Sequence, residues 1–162
     1  MTQAATKYNP WSMYIVAREE ARRTGSRRID TEHLFLALLN EPDIAETVGV
    51  TIEQGRDAVD SLDRSALGIL GIHATHSAAP IPMRAVPPRP TVKAVLRDRI
   101  PMTPAAKAVL ERAWGPVRRG RRFRAKDVLR ELIDLTQPDP VGGLFIALGI
   151  DTQAVRSQID SM

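Results

Sequence analysis

Side chains able to do chemistry are sparse in this 162-residue sequence and collect in four places. Glu32 and His33 stand together at the head of an apolar run, a pairing that suggests acid–base work. Adjacent helical residues point in different directions, however, and no serine, cysteine or metal-ligand set converges with them. His73 and His76 form a His-x-x-His spacing that two imidazoles use to share a metal, but no third ligand lies near, and the alternative is a solvated linker. Lys107 and Glu111 lie four residues apart, either as a helix-surface ion pair or as part of a binding face. Arg118, Arg119, Arg121, Arg122 and Arg124 surround Phe123 in a basic loop suited to phosphate contact and base stacking, or to an acidic protein partner.

The rest of the composition narrows the class. There is no cysteine, hence no disulfide, thiol nucleophile or thiolate metal site. The net charge of +4 permits nucleic acid or an acidic partner without specifying either. No apolar stretch is long enough to span a membrane, and Met1 to Asn9 lack the pattern of a signal peptide, so a cytoplasmic protein is expected. No cofactor is implied. Aromatic residues make up 4% of the chain while Ala, Leu, Val and Ile abound, which predicts an all-α fold of closely packed helices.

The elements that must position these residues are legible from their start and stop signals. Asn9-Pro10 opens a first helix that Gly25 ends, with an apolar face from Met13 to Ala21. Asp30 is an N-cap for a second helix, whose first turn carries Thr31 and Glu32 and whose run from Leu34 to Leu39 is apolar nearly all round. Such a helix belongs at the centre of a bundle, with its polar first turn reaching the surface. A short third helix is predicted over Ile44–Val48, and Thr51-Ile52-Glu53-Gln54 has capping-box form and starts a fourth through Leu62.

Between Ser65 and Pro101 seven prolines and glycines, among them Gly68, Pro87 and Pro90, interrupt any regular helix and predict a long linker. Thr103-Pro104 then repeats the logic of Asn9-Pro10. Helices are predicted from there to about Val117, over Ala125–Leu135, over Gly142–Leu148, and from Asp151 to Ile159. Gly49-Val50-Thr51 and Gly149-Ile150-Asp151 stand at matching points, so the chain reads as an internal duplication of a four-helix unit. The expected organisation is a tail over 1–8, a first repeat over 9–64, a linker over 65–101 and a second repeat over 102–162, all in one compact domain.

Two motifs carry a family resemblance. Thr-Glu-His-Leu-x-Leu-Ala-Leu-Leu from Thr31 to Leu39 and Thr-Pro-x-Ala-Lys-x-Val-Leu-Glu-x-Ala from Thr103 to Ala113 resemble the duplicated N-terminal domain of the Clp chaperones, especially the ClpC type. Ile100-Pro101-Met102-Thr103-Pro104 resembles that domain's lead-in to its second repeat. The resemblance implies two pseudo-twofold-related four-helix repeats and a non-enzymatic receptor for substrates and adaptors. No Gly-x-x-x-x-Gly-Lys-[Ser/Thr] phosphate loop occurs, so the ATPase modules of the chaperones have no counterpart here, and the chain looks like a free-standing domain.

In ClpC-type members the first turn of the second helix of each repeat helps recognise phosphorylated arginine, and the resemblance assigns that role to Thr31 and Glu32. The chemistry suits the place, since a helix N-terminus offers N–H groups to phosphate and a carboxylate accepts guanidinium. The plainer alternative is that Glu32 only improves capping, worth about 0.3 to 1 kcal/mol. In the second half Ala125-Lys126-Asp127 stands where Thr-Glu-His is expected, and a lysine repels guanidinium, so the site there is expected to be lost or repurposed. A second family surface, for adaptors or cyclic-peptide antibiotics, maps onto Met102, Lys107 and Glu111, with Met102 replacing the usual phenylalanine. The expected partners are Clp ATPase or protease components, adaptors or marked substrates, with the chain acting as accessory or decoy. The competing expectation is a helical nucleic-acid-binding protein using the arginine loop.

Overall fold

The computed structural model describes residues 10–71, 99–115, 120 and 122–161. Its regular elements are all helical: α1 (Pro10–Arg23), α2 (Thr31–Leu38), α3 (Pro42–Val48), α4 (Ile52–Ile69), α5 (Pro104–Trp114), α6 (Ala125–Ile133), α7 (Pro140–Ala147) and α8 (Thr152–Ser161). The caps explain these starts. Asp30, Thr51, Thr103 and Asp139 each accept a first-turn N–H at the heads of α2, α4, α5 and α7, and Thr51 and Gln54 form the expected capping box. Gly49 and Gly149 follow α3 and α7 in left-handed conformation, with φ of 72° and 66°, where a side chain would be strained.

α2 lies at the centre, packed against α1, α4, α5, α6 and α7. Every residue from Leu34 to Leu39 is buried, as its unbroken apolar composition requires. Phe35 meets Phe145 of α7 edge to face, with centroids 5.0 Å apart and planes at 87°. α4 approaches α2 closely because Gly55 has no side chain: a Cβ there would stand 2.8 Å from Leu36 Cδ2 and 2.9 Å from Leu39 Cδ1. α1 and α4 are joined by a charged cluster around the buried Glu20, which takes Arg56 at 2.5 Å and Arg23 at 3.3 Å. A parallel bridge between Ile29 and Met102 ties the segment before α2 to the segment before α5, with Ile29 N–H donating to Pro101 O and Thr103 N–H to Ile29 O, both at 2.9 Å.

Three expected boundaries move. α3 and α7 begin at Pro42 and Pro140, two residues before the predicted starts, because proline at the first helical position has the required φ and no N–H to satisfy. α4 continues to Ile69 rather than ending at Leu62, so Ser65 to Ile69 is helix and not linker. Gly68 in that stretch weakens a helix by about 1 kcal/mol without breaking it. Pro80, Pro82, Pro87, Pro88 and Pro90 of the expected linker lie outside the described residues, as do His73 and His76.

Candidate functional site

The first turn of α2 is held by contacts from three directions. Asp30 Oδ1 accepts the Thr31 N–H at 2.8 Å and the Thr103 hydroxyl at 3.0 Å. Thr31 is fully buried, and its hydroxyl donates to Asp139 Oδ1 at 2.5 Å, while the same oxygen caps α7 through the Val141 N–H at 3.1 Å. The heads of α2, α5 and α7 therefore share one network. Of the two residues assigned to recognition, Thr31 is spent on this junction, and Glu32, with 20% of its side chain exposed, reaches solvent.

His33 is buried at the third helical position, where its Nδ1 accepts the Asp30 N–H at 3.0 Å. That bond makes Nε2 the protonated nitrogen of the neutral ring, and Nε2 lies 3.1 Å from Thr24 Oγ1. Burial lowers its pKa, keeping it neutral; its Nε2 lies 3.7 Å from Glu32 Oε1, too far for a hydrogen bond, so the ring serves as a fixed cap rather than as an acid–base partner of Glu32. The Glu32 carboxyl is pushed up from the usual carboxylate range to about 7, first by burial and then by the negative charges of Asp63, Asp30 and Asp139. A cation entering this setting relieves the repulsion; an anion adds to it.

At the head of α6 the arrangement differs. Arg124 takes the N-cap position without a side-chain acceptor, Ala125 and Lys126 follow, and Asp127 reaches back to accept the Arg124 N–H at 3.2 Å. Asp127 is thus occupied as the helix's own cap, the role His33 plays in α2. Beside this turn and the head of α3 lies a cavity of about 320 Å³.

The second predicted surface is a groove of about 540 Å³ lined by Trp11, Tyr14, Arg99, Ile100, Met102 and Lys107. Trp11 and Tyr14 stack with centroids 5.6 Å apart, and the Tyr14 hydroxyl donates to Ile100 O at 3.1 Å, holding α1 against the segment before α5. Trp11 is 40% exposed, so part of its ring faces the groove's opening to solvent. Met102 and Lys107 belong to the groove; Glu111 does not line it but pairs with Lys107 at 3.7 Å on the exposed face of α5. Sequence reasoning missed Trp11 and Tyr14, although their i, i+3 spacing on a helix was available as a signal.

Of the basic loop, Arg122 and Arg124 are exposed, while Arg118, Arg119 and Arg121 lie outside the described residues. Phe123 corrects the expectation of base stacking. It is 8% exposed and its ring packs on Trp114 at 5.9 Å, so it belongs to the core.

The sequence model of the Clp repeat (R) N-terminal domain matches residues 11–119, more than half of the chain. The chain belongs to the Clp N-terminal domain family. The fold is also similar to the crystal structure of the N-terminal domain of the caseinolytic protease associated chaperone ClpD from Arabidopsis thaliana, with a TM-score of 0.61 and 17% identity over 99% of this chain and 96% of that one. No curated protein matches the sequence significantly. For this Clp N-terminal domain the match thus covers both the α2 head and the Trp11–Met102 groove, and stops before α6. No helix among the described residues is long and apolar enough to cross a membrane.

Proposed function

We propose that this Clp N-terminal domain is a non-enzymatic receptor that binds adaptors, marked substrate proteins or Clp-directed cyclic peptides through the Trp11–Met102 groove, as an accessory or decoy in Clp-dependent proteolysis. The observation that carries this reading is the convergence of Met102 and Lys107 with the exposed Trp11–Tyr14 stack around one open groove. Stacked aromatics, a methionine and flanking Arg99 and Lys107 suit an apolar segment with acidic neighbours. A pull-down with the intact chain is expected to retain Clp components or arginine-phosphorylated proteins, and a Trp11→Ala, Lys107→Glu double variant to lose them. Recovery of neither class by the intact chain sinks the reading. Adding the chain to a reconstituted Clp protease separates accessory, which speeds turnover, from decoy, which slows it.

Recognition of phosphoarginine at Glu32 is a second reading, supported by a partly exposed carboxylate amid Asp30, Asp63 and Asp139. These charges favour the guanidinium end and direct the phosphate away from the α2 head. Calorimetry with phosphoarginine is expected to give heat with the intact chain and none with Glu32→Ala; absence of heat with the intact chain removes this assignment and leaves the groove untouched. We further infer that the eight helices among the described residues are two copies of a four-helix unit, supported by Thr103-Pro104 and Asn9-Pro10, and by the matching glycine caps at Gly49 and Gly149.

A further inference from the structure

The heads of α2 and α6 meet their neighbouring helices differently, and the difference leaves a space with chemistry of its own. Thr31 at the first position of α2 closes onto Asp139 through its hydroxyl. Ala125, at the first position of α6, has no hydroxyl to give, and the junction with the head of α3 stays open as the cavity of about 320 Å³. Glu41 and Asp43 line it from α3, Arg124 and Lys126 from α6, and the largely buried Ile44 and Phe123 supply apolar surface.

Each helix contributes one sign of charge, and the two signs do not meet. None of the four charged side chains takes part in an ion pair among the described residues, whereas the single arginine within α6 and the one within α8 both do, Arg130 with Asp160 and Arg156 with Asp134. Arg124 at the N-cap cannot accept a hydrogen bond, so among the described residues no side chain caps the Ala125 and Lys126 N–H groups that open α6 next to the cavity. A lone cation is repelled by Arg124 and Lys126, and a lone anion by Glu41 and Asp43. A species carrying both signs around a small apolar body is matched on every wall, and the volume lies at the low end for small-molecule sites.

We propose that this cavity binds a free apolar amino acid or dipeptide as a zwitterion: the α-carboxylate toward Arg124, Lys126 and the α6 N–H groups, the α-ammonium toward Glu41 and Asp43, and the side chain on Ile44 and Phe123. Short peptides of this kind are products of proteolysis, so the site reads product where the groove reads partner. Its assignment does not depend on the groove. The test is amide NMR on the intact labelled chain, titrated with Leu-Leu, with its N-acetylated form and with its C-amidated form. Leu-Leu is expected to shift the amides of Ile44, Ala125 and Lys126 saturably, each blocked form to bind about tenfold or more weakly, and Lys126→Glu to abolish the shifts. Absence of shifts with Leu-Leu, equal binding of a blocked form, or unchanged binding by Lys126→Glu overturns the proposal.

Discussion

Glu32 is the residue whose setting most departs from its chemistry. A carboxyl whose folded pKa lies near 7, above its ordinary 4.5, contributes stability that is fully present below the lower value and is lost as pH rises through the upper one. His33, held neutral by burial, acts oppositely, since stability falls as pH drops below its ordinary 6.5. The Glu32→Gln variant isolates the first effect: the melting temperature of the intact chain is expected to fall relative to the variant's as pH is raised from about 4.5 to 7. Parallel melting curves across that window would remove the raised pKa. The first-turn carboxylate was visible in the sequence, but its titration was not. Asp63 and Asp139 come from distant parts of the chain, and no spacing rule brings them to Glu32.

Among the elements, α7 is the most tightly specified by its backbone. A Cβ on Gly142 would stand 2.6 Å from the Thr136 carbonyl carbon and 2.7 Å from Gln137 N, atoms that cannot yield without moving the loop before α7. At Gly55 the obstacles are the far ends of Leu36 and Leu39, which can rotate. Gly142→Ala is therefore expected to destabilise by more than the ~1–3 kcal/mol typical of overpacking, and Gly55→Ala by an amount within that range. Urea denaturation of the two variants checks the order. Helix starts at Asp30, Thr51, Thr103 and Asp151 were readable because caps act within one turn. The far end of α4 was not, because Ile69 and Leu70, apolar as they are, carry no burial pattern to mark it: they are 88% and 73% exposed.

For the whole molecule, the central position of α2 predicts one cooperative unit. Its partners α1 and α4 lie in the first half of the chain and α5, α6 and α7 in the second, so neither set is expected to retain its core without the other. The chain contains two tryptophans, Trp11 in α1 and Trp114 in α5, which report on the two parts separately. Single-tryptophan variants Trp114→Phe and Trp11→Phe are expected to unfold in urea with the same transition by fluorescence as by helical circular dichroism within each variant. Separated transitions would instead make the two sets of helices independent domains.

The sequence by itself determined the helical class, the buried core of α2, the family through the Thr31–Leu39 and Thr103–Ala113 motifs, and most caps. The family rests on the resemblance of those motifs; the class, the core and the caps rest on periodicity or on contacts within a turn or two of the chain. Tertiary structure alone decided that Thr31 is consumed by Asp139, that Trp11 and Tyr14 face Met102, that Phe123 is core, and that the head of α6 opens on a cavity. Each of those depends on residues brought together from different helices. The asymmetry between Glu32 and Lys126 was written in residue types; which of the two junctions closes was settled by a single hydroxyl meeting a carboxylate 108 positions away.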